Sequence, residues 1–289
     1  MNHLGPYIKI RNIQKLKKIV RYYSRNYPEC SLNWLNVSGI KNIGTIFFNT
    51  VYNGDISQWD VSNVTTMTSA FCNSHFNGDI SGWDVSNVTD MQHMFQNSRF
   101  NGDISGWDVS NVEHMGEMFK NSIFDNDISN WDISKVKSMH GMFQNSKFNH
   151  DISMWNVSRV NDMSWLFAYS KFTGDISNWN VSNVEHMGYM FQYSKFNGDI
   201  SRWDVSHVRY MVSMFRQMNF NRDITGWDVK NVTDMTEMFY NNKKFDQDIS
   251  EWNVDKVEYY AGIFSKCNMQ EHNKPDKFKI VNYGQIYYY

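Results

Sequence analysis

A tryptophan that returns at a constant interval is the feature that most restricts how this chain folds. The copies are evenly spaced, with one extra residue only before the last: Trp59, Trp83, Trp107, Trp131, Trp155, Trp179, Trp203, Trp227 and Trp252. The surrounding residues recur in the form F-N-G-D-I-S-x-W-D-V-S-N-V-x-x-M-x-x-M-F. Self-similarity at a period of about 20 to 50 residues is the signature of stacked-repeat proteins. We therefore interpret these tryptophans as structural residues of one repeated module.

Each repeat contains two hydrophobic patterns. Residues 79–85 include an i, i+2 step of β-favouring residues, which predicts a short strand. Ser86 is a suitable N-cap for residues 88–95, where apolar side chains at i, i+3, i+6 and i+7 predict a short helix. A strand and a helix in one period of about 24 residues match a leucine-rich-repeat coil. The expected fold class is α/β, a right-handed leucine-rich-repeat-like solenoid with parallel strands on one face and short helices on the other.

About ten coils are predicted, and we number them by the residue at the tryptophan position. Leu35 takes that position in repeat 1, one period before Trp59, and Trp252 takes it in repeat 10. One residue is inserted between Phe239 and Phe245, which predicts an exposed turn over 241–244. Columns of Met and Phe at helical spacing are interpreted as core filling, because such stripes are more often core than binding groove.

The predicted organisation is a repeat region over 31–264 between two terminal caps. Residues 1–30 include a basic amphipathic helix over 12–25, which we interpret as the cap that a stacked-repeat protein needs on its first coil. A basic helix is also typical of membrane-surface segments, so a contact through residues 9–25 is the alternative. Residues 265–289 leave the repeat pattern. Their segments 278–281 and 285–289 are strand-like and predict the opposite cap.

Charge and cysteine content exclude several classes of protein. The chain carries 28 Lys+Arg against 30 Asp+Glu, which argues against whole-protein attraction to nucleic acid. Cys30, Cys72 and Cys267 occupy different repeat positions, so neither a disulfide framework nor a cysteine-based zinc site is expected. No apolar run reaches the roughly 18 residues that span a bilayer. Without an export signal of the usual kind, we expect an intracellular protein, cytoplasmic or, for a virus, inside the virion or host cell.

Aspartates form two rows along the repeats. The first row is Asp55, Asp79, Asp103, Asp127, Asp151, Asp175, Asp199, Asp223 and Asp248; the second is Asp60, Asp84, Asp108, Asp132, Asp204 and Asp228, with Asn elsewhere. Stacked carboxylates repel, so an interaction must offset the repulsion. We favour hydrogen bonds from backbone N–H groups at turns. Calcium ions between coils are the alternative, because Ca²⁺ prefers oxygen ligands.

No arrangement of residues predicts catalysis, a metal centre or a cofactor. The sequence has no P-loop and no dinucleotide fingerprint. His114 and His186 share a repeat position but are three coils apart, so the histidines are interpreted as surface residues. A repeat that dictates most positions also leaves few residues free to form a convergent site. We expect no enzymatic activity.

Aromatic residues at otherwise variable positions are the candidate partner-binding site. Trp165 with Tyr169, and Tyr189 with Tyr193, form i, i+4 pairs in neighbouring repeats. On a helix such residues share a face, so the four rings are predicted to form one patch that Tyr210 extends. Exposed aromatic patches often mark protein contacts. Packing of the rings against adjacent turns, with no partner, is the alternative interpretation.

The run F-N-G-D-I-S-G-W-D-V-S-N-V-T-D-M-Q-H-M-F at 76–95 resembles the BspA-like repeat family, which is related to leucine-rich repeats. The resemblance covers roughly residues 31–264. It implies a solenoid associated with surface attachment and protein binding, without a family-wide catalytic site. The chain lacks the signal peptide and lipid-attachment cysteine of the bacterial surface members.

The sequence thus favours a non-enzymatic repeat scaffold that presents its variable face to another protein. A calcium-dependent surface adhesin that uses the aspartate rows is the alternative function. The two differ in their response to a chelator, which would lower the melting temperature only of the calcium-dependent protein.

Overall fold

In the computed structural model, residues 8–279 are described. Strand β1 covers Ile8–Lys9 and pairs in parallel with strand β2, Leu35–Asn36. Between them lies helix α1, Ile13–Asn26. Near the other end of the described chain are a 3₁₀ helix, Glu271–Asn273, and helix α2, Asp276–Lys279. Within residues 37–270, the repeats contain turns and isolated bridges but no helix or strand.

The repeats stack on one another through a continuous ladder of parallel backbone bonds. One bridge links each repeat to the next, from Asn42↔Thr66 through Asp234↔Tyr259, which makes nine bridges within the described residues. In repeat 3 the N–H groups of residues 91, 93, 95 and 97 donate to carbonyls of repeat 4 at 2.9 Å. The chain is therefore a repeat protein in which each module completes the backbone hydrogen bonding of its neighbour.

The prediction of one strand and one helix in each repeat is wrong. The segment 79–85, predicted as a strand, contains a turn closed by the Trp83 N–H and the Ile80 carbonyl at 3.1 Å. The segment 88–95, predicted as a helix, is the part that carries the parallel ladder. The leucine-rich-repeat arrangement of strands on one face and helices on the other is consequently absent from the described repeats.

The helical spacing has another physical cause, a series of tight turns. The Met94 N–H donates to the Met91 carbonyl, three positions earlier, at 3.1 Å, so apolar side chains return to one side without an α-helix. His93 and Asn97 have φ values of 57° and 54°, in the left-handed region that an α-helix excludes. The N–H groups of alternate residues then donate to carbonyl groups of the next repeat.

The core consists of side-chain columns that run through the stack. The methionines at the first position of the ladder segment, such as Met91 and Met115, are fully buried, as the core interpretation predicts. Phenylalanines stack in register, with ring centroids 5.8 Å apart for Phe95 and Phe119. Each residue buries its apolar surface against the equivalent residue of the next repeat, so no single repeat can form the core alone.

The tryptophans also lie in register. Trp59 and Trp83 have ring centroids 6.4 Å apart and planes 3° from parallel, and Trp227 and Trp252 have the same spacing across the inserted residue. From Trp83 onward, each buried indole N–H donates to an isoleucine carbonyl of the preceding repeat; for Trp107 and Ile80 the distance is 3.1 Å. A tryptophan is therefore positioned by both packing and a hydrogen bond that reaches into the neighbouring repeat.

Helix α1 packs on repeat 1, as expected of a cap. The Asn12 side chain accepts a hydrogen bond from the Gln14 N–H at 2.7 Å, which satisfies a free donor of the first turn. Leu16 and Val20 are buried in the same core cluster as the repeats, and Tyr23 contacts Trp34 with ring centroids 5.8 Å apart. The predicted helix over 12–25 is confirmed within one residue; the division into cap and repeat region remains a prediction.

The C-terminal region differs from the prediction in one respect. Residues 278–279 lie in α2, so the strand predicted over 278–281 is wrong there, because residues 276–279 form a helical turn. Residues 280–281 and 285–289 lie outside the described part of the chain. The inserted residue falls in the predicted turn, with Lys243 and Lys244 exposed. No helix among the described residues is long and apolar enough to cross a bilayer.

Candidate protein-interaction surface

The predicted site residues lie on one outer surface of the stack, which we call the ladder face. It consists of the outward side chains at positions equivalent to 89–99 of repeat 3. Trp165 and Tyr169 lie in repeat 6, and Tyr189 and Tyr193 lie in repeat 7. All four have positive φ, between 56° and 63°. Their helical i, i+4 pairing is therefore wrong, because no helix forms where every fourth residue is left-handed.

The rings are brought together between repeats instead. Trp165 stacks on Tyr189 with centroids 4.1 Å apart and planes 12° from parallel. Tyr169 stacks on Tyr193 at 4.9 Å and 14°. We call these four residues the aromatic strip. Tyr210 has no ring contact with the strip; it stacks on His186 at 4.9 Å and 4°.

The aromatic strip replaces a hydrogen-bonded amide ladder. In repeats 3 to 5 the equivalent position holds Asn97, Asn121 and Asn145. Each side-chain amide donates to the preceding asparagine, at 2.8 Å from Asn121 to Asn97 and 2.9 Å from Asn145 to Asn121. Asparagine is also one of the few residues that tolerates positive φ, whereas a bulky aromatic residue there is an outlier. The repeat itself therefore favours Asn at these positions, and it does not account for Tyr169 and Tyr193.

The oxygen of a buried side-chain amide at the strip lacks a hydrogen-bond partner among the described residues. Gln192 lies between Tyr189 and Tyr193 in the chain, is 7% exposed, and donates through Nε2 to the Tyr169 hydroxyl at 3.2 Å. Its Oε1 accepts no hydrogen bond from any described residue. An unsatisfied buried acceptor costs about 1–3 kcal/mol. The sequence pattern does not single out Gln192, because nothing in a single glutamine indicates that its side-chain oxygen will lack a hydrogen-bond donor.

Three lysines border the aromatic strip. Tyr169 is exposed, Ser170 buried, Lys171 exposed and Phe172 buried, and this alternation places Tyr169 and Lys171 on the same outer surface. Lys147 and Lys195 are the equivalents of Lys171 in repeats 5 and 7, and both are exposed. We call the three the lysine row: Lys147, Lys171 and Lys195. None of them forms an ion pair with a residue in the described range 8–279.

Other charges near the strip are paired. The Glu117 carboxylate lies 3.0 Å from the Lys120 Nζ and accepts a hydrogen bond from the Gln96 amide at 2.7 Å. His140 lies 3.7 Å from both Glu117 and Asp162. Burial acts to raise the pKa of Asp162, but hydrogen bonds from His140 and Ser164 outweigh it and hold that pKa below its ordinary value. The lysine row therefore supplies unpaired positive charge beside the aromatic strip.

The aspartate rows form turn caps. In the first row, every Oδ1 accepts the backbone N–H two positions later, as from Ser81 to Asp79 at 2.9 Å. Bonds from the Ser81 hydroxyl and N–H hold the pKa of Asp79 below its ordinary value, so the carboxylate stays charged. Asn156 in the second row makes the same turn bond to Ser158, at 3.1 Å. The favoured turn-capping interpretation is confirmed, and within residues 8–279 no three potential ligands converge on a metal position.

Among known proteins, a family model described as "Mycoplasma protein of unknown function, DUF285" matches four overlapping segments of the chain. The matched residues are 15–123, 98–195, 120–217 and 168–278. The overlap follows from the internal repeats, and the four segments together span most of the chain. No curated protein and no solved structure matches the chain.

Proposed function

The chain belongs to the DUF285 family of BspA-like repeats, and on that premise we propose that it is a non-enzymatic scaffold that binds another protein. In this proposal the ten repeats form one right-handed solenoid whose core is common to all repeats. The ladder face carries the side chains that differ from repeat to repeat. A scaffold of this kind supplies rigidity, and the variable side chains supply specificity.

The observation that supports binding is the presence of the aromatic strip on left-handed backbone. Four large aromatic residues occupy left-handed positions in two adjacent repeats, with φ between 56° and 63°. The left-handed conformation recurs in other repeats, as at His93 and Glu117, so the distinguishing feature of the strip is that large aromatic residues occupy it. Trp and Tyr are also the residues that most often dominate the energy of protein interfaces. The strip is partly solvent-exposed, at 42% for Tyr169 and 43% for Tyr193.

A non-enzymatic role agrees with how the polar groups are used. The aspartates of both rows serve as turn acceptors, as with Asp103 and Ser105 at 2.9 Å. The His140 ring lies between two carboxylates that are themselves paired or hydrogen-bonded. A general base must reach a substrate proton, and a nucleophile must lie beside its base. We therefore assign these groups to the stability of the fold.

The experiment that tests the proposal is comparative affinity capture with the full chain. Wild-type protein and the double variant Trp165→Ser, Tyr189→Ser are immobilised and exposed to the same lysate. We expect a protein captured by the wild type to be lost or reduced at least tenfold with the variant. Ser213 and Ser69 occupy the position of Trp165 in other repeats, so serine is compatible with the backbone there.

The matched control is the double variant Ser69→Ala, Ser213→Ala, which changes the same position outside the strip. It should capture the same proteins as the wild type. Equal capture by the wild type and the Trp165→Ser, Tyr189→Ser variant, both folded by circular dichroism, would remove the strip as the binding surface.

The calcium-dependent adhesin is distinguished by melting temperature. Each first-row aspartate already uses one carboxylate oxygen in its own turn, as with Asp127 and Ser129 at 2.8 Å. We expect the melting temperature to be unchanged, within about 1 °C, by 2 mM EDTA or 2 mM calcium chloride, since ligand-linked stabilisation requires a bound ion. A rise with calcium that EDTA reverses would favour the adhesin.

A further inference from the structure

The aromatic strip and the lysine row together indicate what kind of segment the ladder face binds. Resting on the proposed protein-binding function, we propose that they bind an extended, acidic segment of a partner protein with carboxylates at alternate residues. The segment runs along the stack, across repeats 5 to 7. Its carboxylates face Lys147, Lys171 and Lys195, and its other side chains face the rings.

The spacing of the repeats at the lysine row is compatible with an extended peptide. Tyr169 and Tyr193, two positions before Lys171 and Lys195, have ring centroids 4.9 Å apart, and Phe172 and Phe196, directly after these lysines, have ring centroids 6.4 Å apart. Alternate residues of an extended strand are about 6.6 Å apart, slightly more than this spacing. Because lysine side chains are long and flexible, a segment with Asp or Glu at every second position can still pair with three successive lysines. A helical partner would present carboxylates at i and i+4 with a similar axial spacing, but on a cylinder too wide to contact both the lysines and the rings.

The unpaired side-chain oxygen of Gln192 favours a partner segment that carries a hydrogen-bond donor. Its Oε1 lies beneath the strip without a hydrogen bond from the described residues, while its Nε2 donates to the Tyr169 hydroxyl. In the proposal, the bound segment displaces the Tyr169 ring and thereby reaches this oxygen. An extended peptide presents backbone N–H groups along its length, so it can supply the missing donor.

Trp165 offers a partly exposed ring to the same segment. One indole face is covered by Tyr189, with centroids 4.1 Å apart. Toward repeat 5 the equivalent residue is Gly141, and a Cβ placed there would lie 3.2 Å from Glu117 Cγ and 3.4 Å from Gln144 Oε1, so neighbouring side chains border this position. In the proposal, a residue of the partner that lies between two carboxylates packs against the exposed part of the indole.

Single-stranded nucleic acid shares the anionic character but fits the rings less well. Bases bind by stacking on open aromatic faces. Tyr169 and Tyr193 cover each other at 4.9 Å, which leaves no space for a base between them. Exposed aspartates also follow the lysine row, four positions later in the chain, at Asp151, Asp175 and Asp199. These carboxylates repel single-stranded nucleic acid, which carries a negative charge on every nucleotide. They repel less a peptide whose carboxylates all lie on the edge that faces the lysines.

The test uses the full chain and defined peptides, with binding followed by fluorescence anisotropy. The probe is a dye-labelled decapeptide of alternating Glu and Val. A block peptide of five Glu followed by five Val has the same composition and charge. We expect the alternating peptide to bind at least tenfold more tightly than the block peptide, and its affinity to fall as salt screens the lysines. Equal affinity for the two peptides, or tighter binding of a ten-nucleotide oligo-dT, overturns the proposal.

Two variants separate recognition from stability. Lys147→Asn, Lys171→Asn, Lys195→Asn removes the lysine row with the residue found at Asn219, and Tyr169→Asn, Tyr193→Asn restores the amide found in repeats 3 to 5. Each should weaken binding of the alternating peptide at least tenfold without lowering the melting temperature. The control Lys243→Asn, Lys244→Asn, at the inserted turn, should bind as the wild type does. Unchanged affinity in both variants overturns the proposal.

Failure of this inference is distinguishable from failure of the proposed function. If the wild type does not bind the alternating peptide but Trp165→Ser, Tyr189→Ser loses its captured protein, the acidic-segment inference is wrong and the scaffold function stands. If the captured proteins are unaffected by that variant, the scaffold function through this surface is wrong whatever the peptide does.

Discussion

Repeats 3 to 5 and repeats 6 to 7 place different side chains on the same left-handed backbone position. In both regions the last residue of the ladder segment is left-handed, with φ of 54° at Asn121 and 58° at Tyr169. The first region meets this requirement with asparagines that tolerate the conformation and hydrogen-bond to one another. The second has tyrosines, which lose that ladder and stack instead. The stack therefore sets the backbone conformation in both regions, and the proposed binding surface offers a reason for tyrosine at this position.

Breaking the amide ladder at its centre should have the largest effect on the free energy of unfolding. Asn121→Val removes the bonds to Asn97 and from Asn145 and places a β-branched residue at positive φ. Left-handed backbone costs about 1–2 kcal/mol for such a residue, and each lost bond about 0.5–1.5 kcal/mol. We expect the free energy of unfolding to fall by about 2–5 kcal/mol, measured by chemical denaturation.

Asn121→Gly is the matched control for that change, since it also removes the amide but relieves the backbone. It should be less destabilising than Asn121→Val. Equal losses for the two variants would mean that positive φ is not costly at this position, and the contrast with Tyr169 would then have no energetic basis.

The insertion in repeat 9 is a second departure from the repeat, and it lies outside the aromatic strip and the lysine row. Asn242 is fully buried, and neither polar atom of its side chain has a partner among the described residues. In repeat 5 the sequence Asn145–Phe148 reads N-S-K-F, and Ser146 Oγ accepts the Phe148 N–H at 3.2 Å. Asn242→Ser combined with deletion of Lys243 recreates that sequence. Because buried unsatisfied groups cost about 1–3 kcal/mol, stability should rise by about 1–2 kcal/mol in denaturant titrations.

Deletion of Lys243 alone is the control, because it shortens the turn but keeps the buried amide. It should give less than half of the gain. If the double change is no more stable than the wild type, a departure from the repeat does not lower the free energy of unfolding. Tyr169 and Tyr193 would then need no explanation beyond the fold.

Replacing the tyrosines of repeats 6 and 7 with the asparagine found in repeats 3 to 5 should give a smaller gain in stability. Tyr169→Asn, Tyr193→Asn places amides where the ladder from Asn145 can continue. The relief of strain and the new bonds are offset by two losses. The ring stack contributes about 0.5–1.5 kcal/mol, and the hydrogen bond from Gln192 Nε2 to the Tyr169 hydroxyl contributes about 0.5–1.5 kcal/mol. We expect a net stabilisation of about 1 kcal/mol, seen as a higher denaturation midpoint. A loss of stability would show that the rings serve the fold, and that local packing accounts for them.

The sequence predicted the periodic part of the fold well, because strict repetition constrains packing directly. The buried tryptophans, the methionine and phenylalanine columns, helix α1 and the turn-capping aspartates all follow from residue type and spacing. Secondary structure within the repeat did not follow. Met91, Met94 and Phe95 are spaced as on a helix, but their N–H groups donate within tight turns and to the next repeat, and the spacing alone does not distinguish these arrangements.

The candidate site was found for a partly wrong reason. Trp165, Tyr169, Tyr189 and Tyr193 stand out in the sequence because they are aromatic residues with i, i+4 spacing at variable positions, and the structure stacks them in two pairs. The pairing is between repeats rather than along a helix, so Tyr210 lies beside His186 instead. The positive φ of these residues depends on tertiary hydrogen bonds, which a single sequence does not reveal. The same holds for the unpaired oxygen of Gln192.

The second aspartate row offers the opposite case to the tyrosines, because Asp and Asn interchange there without a change in geometry. Ser110 donates to Asp108 at 3.0 Å, and Ser182 donates to Asn180 at 3.2 Å. Hydrogen bonds from the Ser110 hydroxyl and N–H hold the pKa of Asp108 below its ordinary value. A carboxyl whose pKa is lowered by folding adds stability above its unfolded pKa, near 3.9, and loses it as pH falls through the folded pKa.

Replacing three such aspartates should therefore lower stability slightly at neutral pH and make it less sensitive to acid. In Asp108→Asn, Asp132→Asn, Asp204→Asn we expect a small fall in melting temperature at pH 7, because Asn keeps the turn bond but lacks the charge whose pKa folding lowers. Below about pH 4 the variant should lose less stability than the wild type, since its amides do not protonate. Asp255→Asn is the control, because that carboxylate accepts no hydrogen bond from the described residues, and it should leave the pH profile unchanged. A variant whose profile matches the wild type would place the acid sensitivity in the first row, and a large loss at pH 7 would show that this position needs its charge.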